Sequence, residues 1–247
     1  MISKEALKKE AEKSNLTLYQ QEKDYLLKLF LFNYYQDSEE AVFKGGTCLK
    51  YLFGLNRFSE DLDFNLKTSP NKFQKQVAST LKKINKLGIK SSFKKQELFK
   101  NTFTCEIRFK GPLYNGESNS LNKIRIDAGK RTGIKLKPKW QLIESEYPET
   151  PKSFLVLALD EREILAEKIS ALLSRNKGRD LYDVWFLLKK GVELNAKLVN
   201  QKAIEKKLKF PSKKEYERDM KKLTRKTIPY DQAISEVKKR LKKVIEE

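Results

Sequence analysis

The chain has 247 residues, 39% of them hydrophobic, with 53 Lys and Arg against 33 Asp and Glu, a formal net charge of +20, two cysteines and no histidine. That length can bury one large core or two modest ones. The missing imidazole excludes His-based triads, zinc-protease motifs and imidazole general bases, so acid–base work falls to carboxylates, lysines or water. Cys48 and Cys105 lie on predicted apolar faces and cannot build a disulfide framework, and the charged segment 2–13 lacks the apolar core of a signal peptide. A cytoplasmic protein is expected. No membrane span is expected either, since the apolar run 25–35 contains Lys28 and Asn33 and falls short of the roughly 20 residues a spanning helix needs.

In chain order, apolar periodicity predicts helices over 3–13 and 17–36, the second with a stripe through Leu18, Leu26, Leu29, Leu31 and Phe32. A buried strand at 41–43 and a helix at 47–53 place Gly45 and Gly46 at a strand-to-helix turn. The strand bearing Asp61-Leu62-Asp63-Phe64 comes next, then a helix over 70–87 that opens at Ser69-Pro70 and stops at Gly88. Strands are predicted near 89–95, 98–110 and 121–131, with Gly111-Pro112 and residues 115–120 marking a turn, and a shorter one near 153–158. From there the pattern is helical: 160–175, 179–190, 195–209, 213–226 and 230–245. The fold class this indicates is α/β (α+β), a mixed sheet flanked by helices with a C-terminal helical bundle, divided into 1–155 and 156–247.

The chemistry concentrates in Lys44-Gly45-Gly46-Thr47 and Arg57-Phe58-Ser59-Glu60-Asp61-Leu62-Asp63-Phe64. A glycine turn opening a helix presents backbone N–H groups to phosphate. Asp61 and Asp63, two apart on a strand, point to one face while Leu62 and Phe64 enter the core. Two bare carboxylates that close repel by roughly 4 kcal/mol at ~4 Å and an effective dielectric near 20. One must take a proton or both must bind a cation, and magnesium suits them, with manganese as the alternative ion. A lone Gly-Gly is usually an ordinary turn and a lone Asp-x-Asp a solvated strand end. Their ordered combination is what reads as a nucleotidyl-transfer site. By the same period Ser59 shares the carboxylate face, near bound phosphates.

These residues resemble the AbiEii/AbiGii toxin branch of the polymerase-beta-like nucleotidyltransferases, on Gly-Gly-Thr followed by Arg-x-Ser-x-Asp-Leu-Asp. Two later stretches extend the resemblance over about 40–190: Ile124-Arg125-Ile126-Asp127, and 163–172 followed by Arg179-Asp180-Leu181-Tyr182-Asp183. It implies a nucleotidyltransferase fold, a nucleoside triphosphate substrate, an RNA acceptor, tRNA above all, and a cognate antitoxin. It also implies that Asp61 and Asp63 hold metal, with Asp127 either completing the metal site or drawing the proton from the acceptor hydroxyl. Gly45, Gly46, Thr47, Arg57 and Ser59 would bind nucleotide, Lys168 would stabilise the triphosphate, and Asp183 would be a second functional carboxylate. Arg179 is expected to neutralise Asp180 or touch phosphate.

Charge agrees with a polyanionic partner. Residues 189–247 hold 19 Lys and Arg against 9 Asp and Glu, a net of +10 and half the total excess. A lysine-rich surface composition would give the same count, so the carboxylate motif carries more weight. Two alternatives remain open at this point: the same enzyme acting on a protein or a small molecule such as an aminoglycoside, and a non-catalytic nucleotide- or RNA-binding protein.

Overall fold

The computed structural model describes residues 1–130, 133–200, 204, 209–224 and 227–246. They divide into two compact units, one of Met1–Phe53, Glu60–Ile134 and Pro138–Ala158, the other of Gly54–Ser59, Lys135–Lys137 and Leu159–Glu247. The division expected at 155/156 did not anticipate the two short segments of the second unit. No described helix is long and apolar enough to cross a membrane.

The first unit holds a seven-stranded mixed sheet: β1 (Ala41–Lys44), β2 (Asp61–Leu66), β3 (Ser91–Leu98), β4 (Thr102–Phe109), β5 (Asn122–Gly129), β6 (Lys139–Glu144) and β7 (Ser153–Ala158), in the order β3-β4-β5-β2-β1-β7-β6. The central strand β2 runs antiparallel to β1 and parallel to β5. Alternation sends Leu62, Phe64, Phe103, Ile107, Ile124 and Ile126 into the core, where all are buried. The opposite face carries the carboxylates.

Helices α1 (Lys4–Ser14), α2 (Leu18–Tyr35), α3 (Gly45–Phe53) and α4 (Pro70–Lys86) complete this unit. Capping explains where they start: Thr17 and Gln20 form a reciprocal capping box for α2, and the Ser69 hydroxyl accepts from Lys72 N–H ahead of Pro70. Tyr34 of α2 and Phe73 of α4 meet Phe64 with ring centroids 6.0 and 5.6 Å away. These contacts fix β2 from beneath.

Helix α2 departs from the expected single apolar stripe. Residues 21–30 are buried without exception, including Gln21, Glu22, Lys23, Asp24 and Lys28. Their polar groups are satisfied in place: Glu22 accepts from Leu113 N–H at 2.7 Å and Asn122 Nδ2 at 2.8 Å, and Lys28 pairs with Glu146 at 2.6 Å.

Three further elements differ from expectation. The β3 strand continues to Leu98 and its hairpin turn is at 99–101, inside the strand expected over 98–110. The polar run Lys94 to Glu97 breaks apolar alternation, which an edge strand does not require. Strand β6 was not expected at all, because its Trp140 and Leu142 face outward, 45% and 60% exposed. The helix α3 starts at Gly45 itself, two residues before its predicted start.

The second unit contains α5 (Glu161–Arg175), α6 (Gly178–Lys189), α7 (Lys213–Leu223) and α8 (Tyr230–Glu246), with α6 packed on the other three. Asp160 caps α5, and Ser212 with Glu215 forms a capping box for α7. A Cβ on Gly178 would stand 2.8 Å from the Tyr216 Cα, so the close approach of α6 to α7 requires glycine. Of the helix expected over 195–209, residues 195–200 form no helix, Ile204 is helical, and most of the rest lies outside the described residues.

Candidate active site

Strand β1 ends at Lys44 and α3 begins at Gly45, so the glycine pair forms the first helical turn, whose N–H groups have no intrahelical acceptor. Gly45 has φ of +79°, and a Cβ built there would lie 2.2 Å from Asp63 Oδ2. The Asp63 carboxylate therefore rests directly on the Gly45 backbone. Gly45→Ala should combine left-handed strain of about 1–3 kcal/mol with a displaced carboxylate. We expect a lower melting temperature and reduced transfer activity, and a variant matching wild type in both would contradict this packing.

Thr47, expected to hold phosphate, has a partner within the protein. It is fully buried, and its hydroxyl donates to the Asp61 backbone carbonyl at 2.5 Å. That bond ties α3 to the start of β2. The helix is held from its other end as well. Lys50 Nζ lies 2.5 Å from Asp24 Oδ1, and the Tyr51 and Tyr147 hydroxyls donate to the same carboxylate at 3.0 Å each. Burial alone would push the Asp24 carboxyl up, but the Lys50 and Lys28 ammonium groups outweigh it and hold it below its ordinary value. The sequence shows only polar residues in an apolar helix here. Nothing local names their partners.

Register sets the carboxylates side by side. Asp63 pairs with Asp127, and Asp61 with Arg125, across the parallel β2–β5 ladder, so all four share one face. Asp61, Asp63 and Asp127 are half-buried and Arg125 is exposed. Ser59 precedes β2, so the strand period that would align it with Asp61 does not reach it.

Among the described residues, no group of three or more Asp, Glu, His or Cys side chains is arranged to hold a metal ion. Asp127 thus neighbours Asp63 in register without completing a three-carboxylate set. Magnesium, however, is usually held by one or two carboxylates together with substrate phosphates and water. The hard oxygens of Asp61 and Asp63 on one sheet face fit that requirement.

The second unit brings Arg57, Lys168 and Asp183 together. Arg57 Nε and Nη2 donate to the two Asp183 oxygens at 2.6 and 2.7 Å, and Lys168 Nζ lies 2.8 Å from Oδ2. Asp183 is fully buried, while Arg57 is also buried and bonds the Phe58 carbonyl at 2.9 Å. Burial would raise the Asp183 pKa, but the charges of Lys168 and Arg57 overcome it and hold the carboxyl at about 2. Arg57 and Lys168, expected to reach nucleotide, both pair with Asp183. Asp180 is fully buried too, and its partner is Arg175, at 2.8 and 2.9 Å, instead of the expected Arg179.

Comparison with curated proteins gives no match. Among solved structures, the chain is similar to MenT4, a nucleotidyltransferase toxin from Mycobacterium tuberculosis, at TM-score 0.67 and 17% identity over 100% of this chain and 91% of that one. It is also similar to JHP933 from Helicobacter pylori, at TM-score 0.57 and 20% identity over 90% of each chain. A putative nucleotidyltransferase from H. pylori gives TM-score 0.54 and 19% identity over 91% and 93%. These likenesses show the fold. The family model for the nucleotidyl transferase AbiEii toxin of type IV toxin–antitoxin systems matches residues 29–247, which spans the glycine turn, all three strand aspartates and the helical unit, and the chain belongs to that family.

Proposed function

We propose that this toxin transfers a nucleoside monophosphate from a nucleoside triphosphate to a hydroxyl of RNA, with tRNA as the acceptor class, in the cytoplasm. The observation that carries the reading is the Asp63 carboxylate packed on the Gly45 backbone at the first turn of α3. Phosphate-binding N–H groups and a metal-binding carboxylate then belong to one small structure.

In the proposed reaction the acceptor oxygen attacks the α-phosphorus, the bond to the β-phosphate oxygen breaks, and pyrophosphate leaves. Gly45 and Gly46 N–H groups orient phosphate oxygens. Asp127 takes the acceptor proton, the role a carboxylate fills in a chain without histidine. Asp61 and Asp63 would hold a divalent cation, which when bound neutralises charge on the triphosphate. Lys168 and Asp183 hold Arg57, and with it residues 54–59, within the second unit.

The acceptor is tested with purified protein, magnesium, each α-labelled nucleoside triphosphate, and total RNA, total protein or an aminoglycoside. Label is expected in RNA. Label found only in protein or in the aminoglycoside would overturn the acceptor assignment. The family also implies an antitoxin partner.

A further inference from the structure

The carboxylates share their sheet face with three cationic positions of β4 and β5, Arg108, Lys123 and Arg125. In the row next to Asp61 the cross-strand neighbours are Arg125 and then Glu106, and one step further along β5 Lys123 pairs with Arg108. Glu106 sits among Arg108, Lys123 and Arg125 and is paired with Lys94 at 2.8 Å; Lys94, Lys123 and Arg108 together hold its carboxyl below the ordinary value, so cations outnumber the one carboxylate in this group. Arg125 is exposed, and the Arg108 Nε is buried without a hydrogen-bond partner.

We propose that the RNA acceptor lays its phosphate backbone across this β4–β5 face, gripped by Arg108, Lys123 and Arg125. The proposal rests on the acceptor reading given above. Several features favour RNA over a protein partner. The alternate positions on this face of β4 and β5 are Thr104, Glu106, Arg108, Lys123, Arg125 and Asp127, with no aromatic or aliphatic anchor of the kind protein interfaces need. Guanidinium groups suit phosphate in bidentate geometry. The row also leads straight to Asp61, where an acceptor hydroxyl has to arrive.

The experiment compares wild type with the triple variant Arg108→Gln, Lys123→Gln, Arg125→Gln, titrating labelled tRNA by fluorescence anisotropy at several salt concentrations and nucleoside triphosphate by calorimetry. Each lost phosphate contact flattens the log–log salt slope by about 0.7–0.9, so the triple variant should lose about 2 to 3. Nucleotide affinity should stay at the wild-type value, which also reports a folded protein. Should the triple variant fail to fold, Arg125→Gln alone, at an exposed position, should flatten the slope by about 0.7–0.9. An unchanged slope in a variant that still transfers nucleotide to RNA would overturn the placement and leave the acceptor reading standing. Loss of nucleotide binding together with RNA binding would assign these cations to the triphosphate and overturn it as well. Wild-type protein that neither binds nor labels RNA would remove the acceptor reading itself.

Discussion

Asp63→Asn should abolish nucleotide transfer, with a loss of at least about 10²–10³-fold, the scale on which removal of one preorganised electrostatic group acts in active sites. The substitution keeps the side chain's size, so packing against Gly45 and the β2 ladder survives. What it removes is one ligand charge at the place where β2 meets the first turn of α3. The melting temperature should remain close to wild type, and growth inhibition on expression should vanish with the activity. Full transfer by this variant in magnesium would show that Asp63 is not a metal ligand.

The second large effect is on stability. Asp183→Ala leaves Arg57, which is buried, and Lys168, which is nearly so, without their shared counter-ion. Breaking a buried ion group by removing one partner typically costs about 3–5 kcal/mol, so the urea midpoint should fall sharply. The pH dependence follows from the same contacts. The folded Asp183 carboxyl titrates at about 2 against an ordinary 3.8, and a depressed carboxylate contributes stability above its unfolded pKa and loses it as pH falls through the folded one. Roughly 2 kcal/mol should therefore disappear between about pH 4 and pH 2. In Asp183→Asn this acid-sensitive component should be missing, and a variant whose stability falls with pH as wild type does would contradict the assignment.

How much of this was legible in sequence depends on whether the information was local. The alternation of Leu62 and Phe64 against Asp61 and Asp63 fixed both the strand and its polar face, because period two is a property of the strand alone. Gly45 and Gly46 were likewise readable as a strand-to-helix turn. The Thr47 hydroxyl was not, since its acceptor is a carbonyl 14 positions away. Asp183 reads as one member of an i, i+3 polar pair on α6. Its burial is made tolerable by Arg57, 126 positions earlier, and no periodicity reports that. Asp180 misled for a subtler reason: Arg179 is adjacent in sequence, but neighbours on a helix point in different directions, and Arg175 from α5 reaches the carboxylate instead. Strands β3 and β6 lie at the two sheet edges, where a solvent-facing Lys94 or Leu142 is allowed and the apolar code weakens. The buried polar run of α2 is the same lesson in reverse. Its partners come from α3, β5 and the segment around Tyr147, none of them near it in sequence.

Parallel labelling with nucleoside triphosphate carrying the label at the α- or the γ-phosphate tests nucleotidyl transfer most directly. The α-label should become acid-insoluble on the acceptor while the γ-label appears in pyrophosphate. Transfer of the γ-label to the acceptor, with the α-label left in nucleoside diphosphate, would identify a phosphoryl transferase and contradict the role given to Asp61 and Asp63.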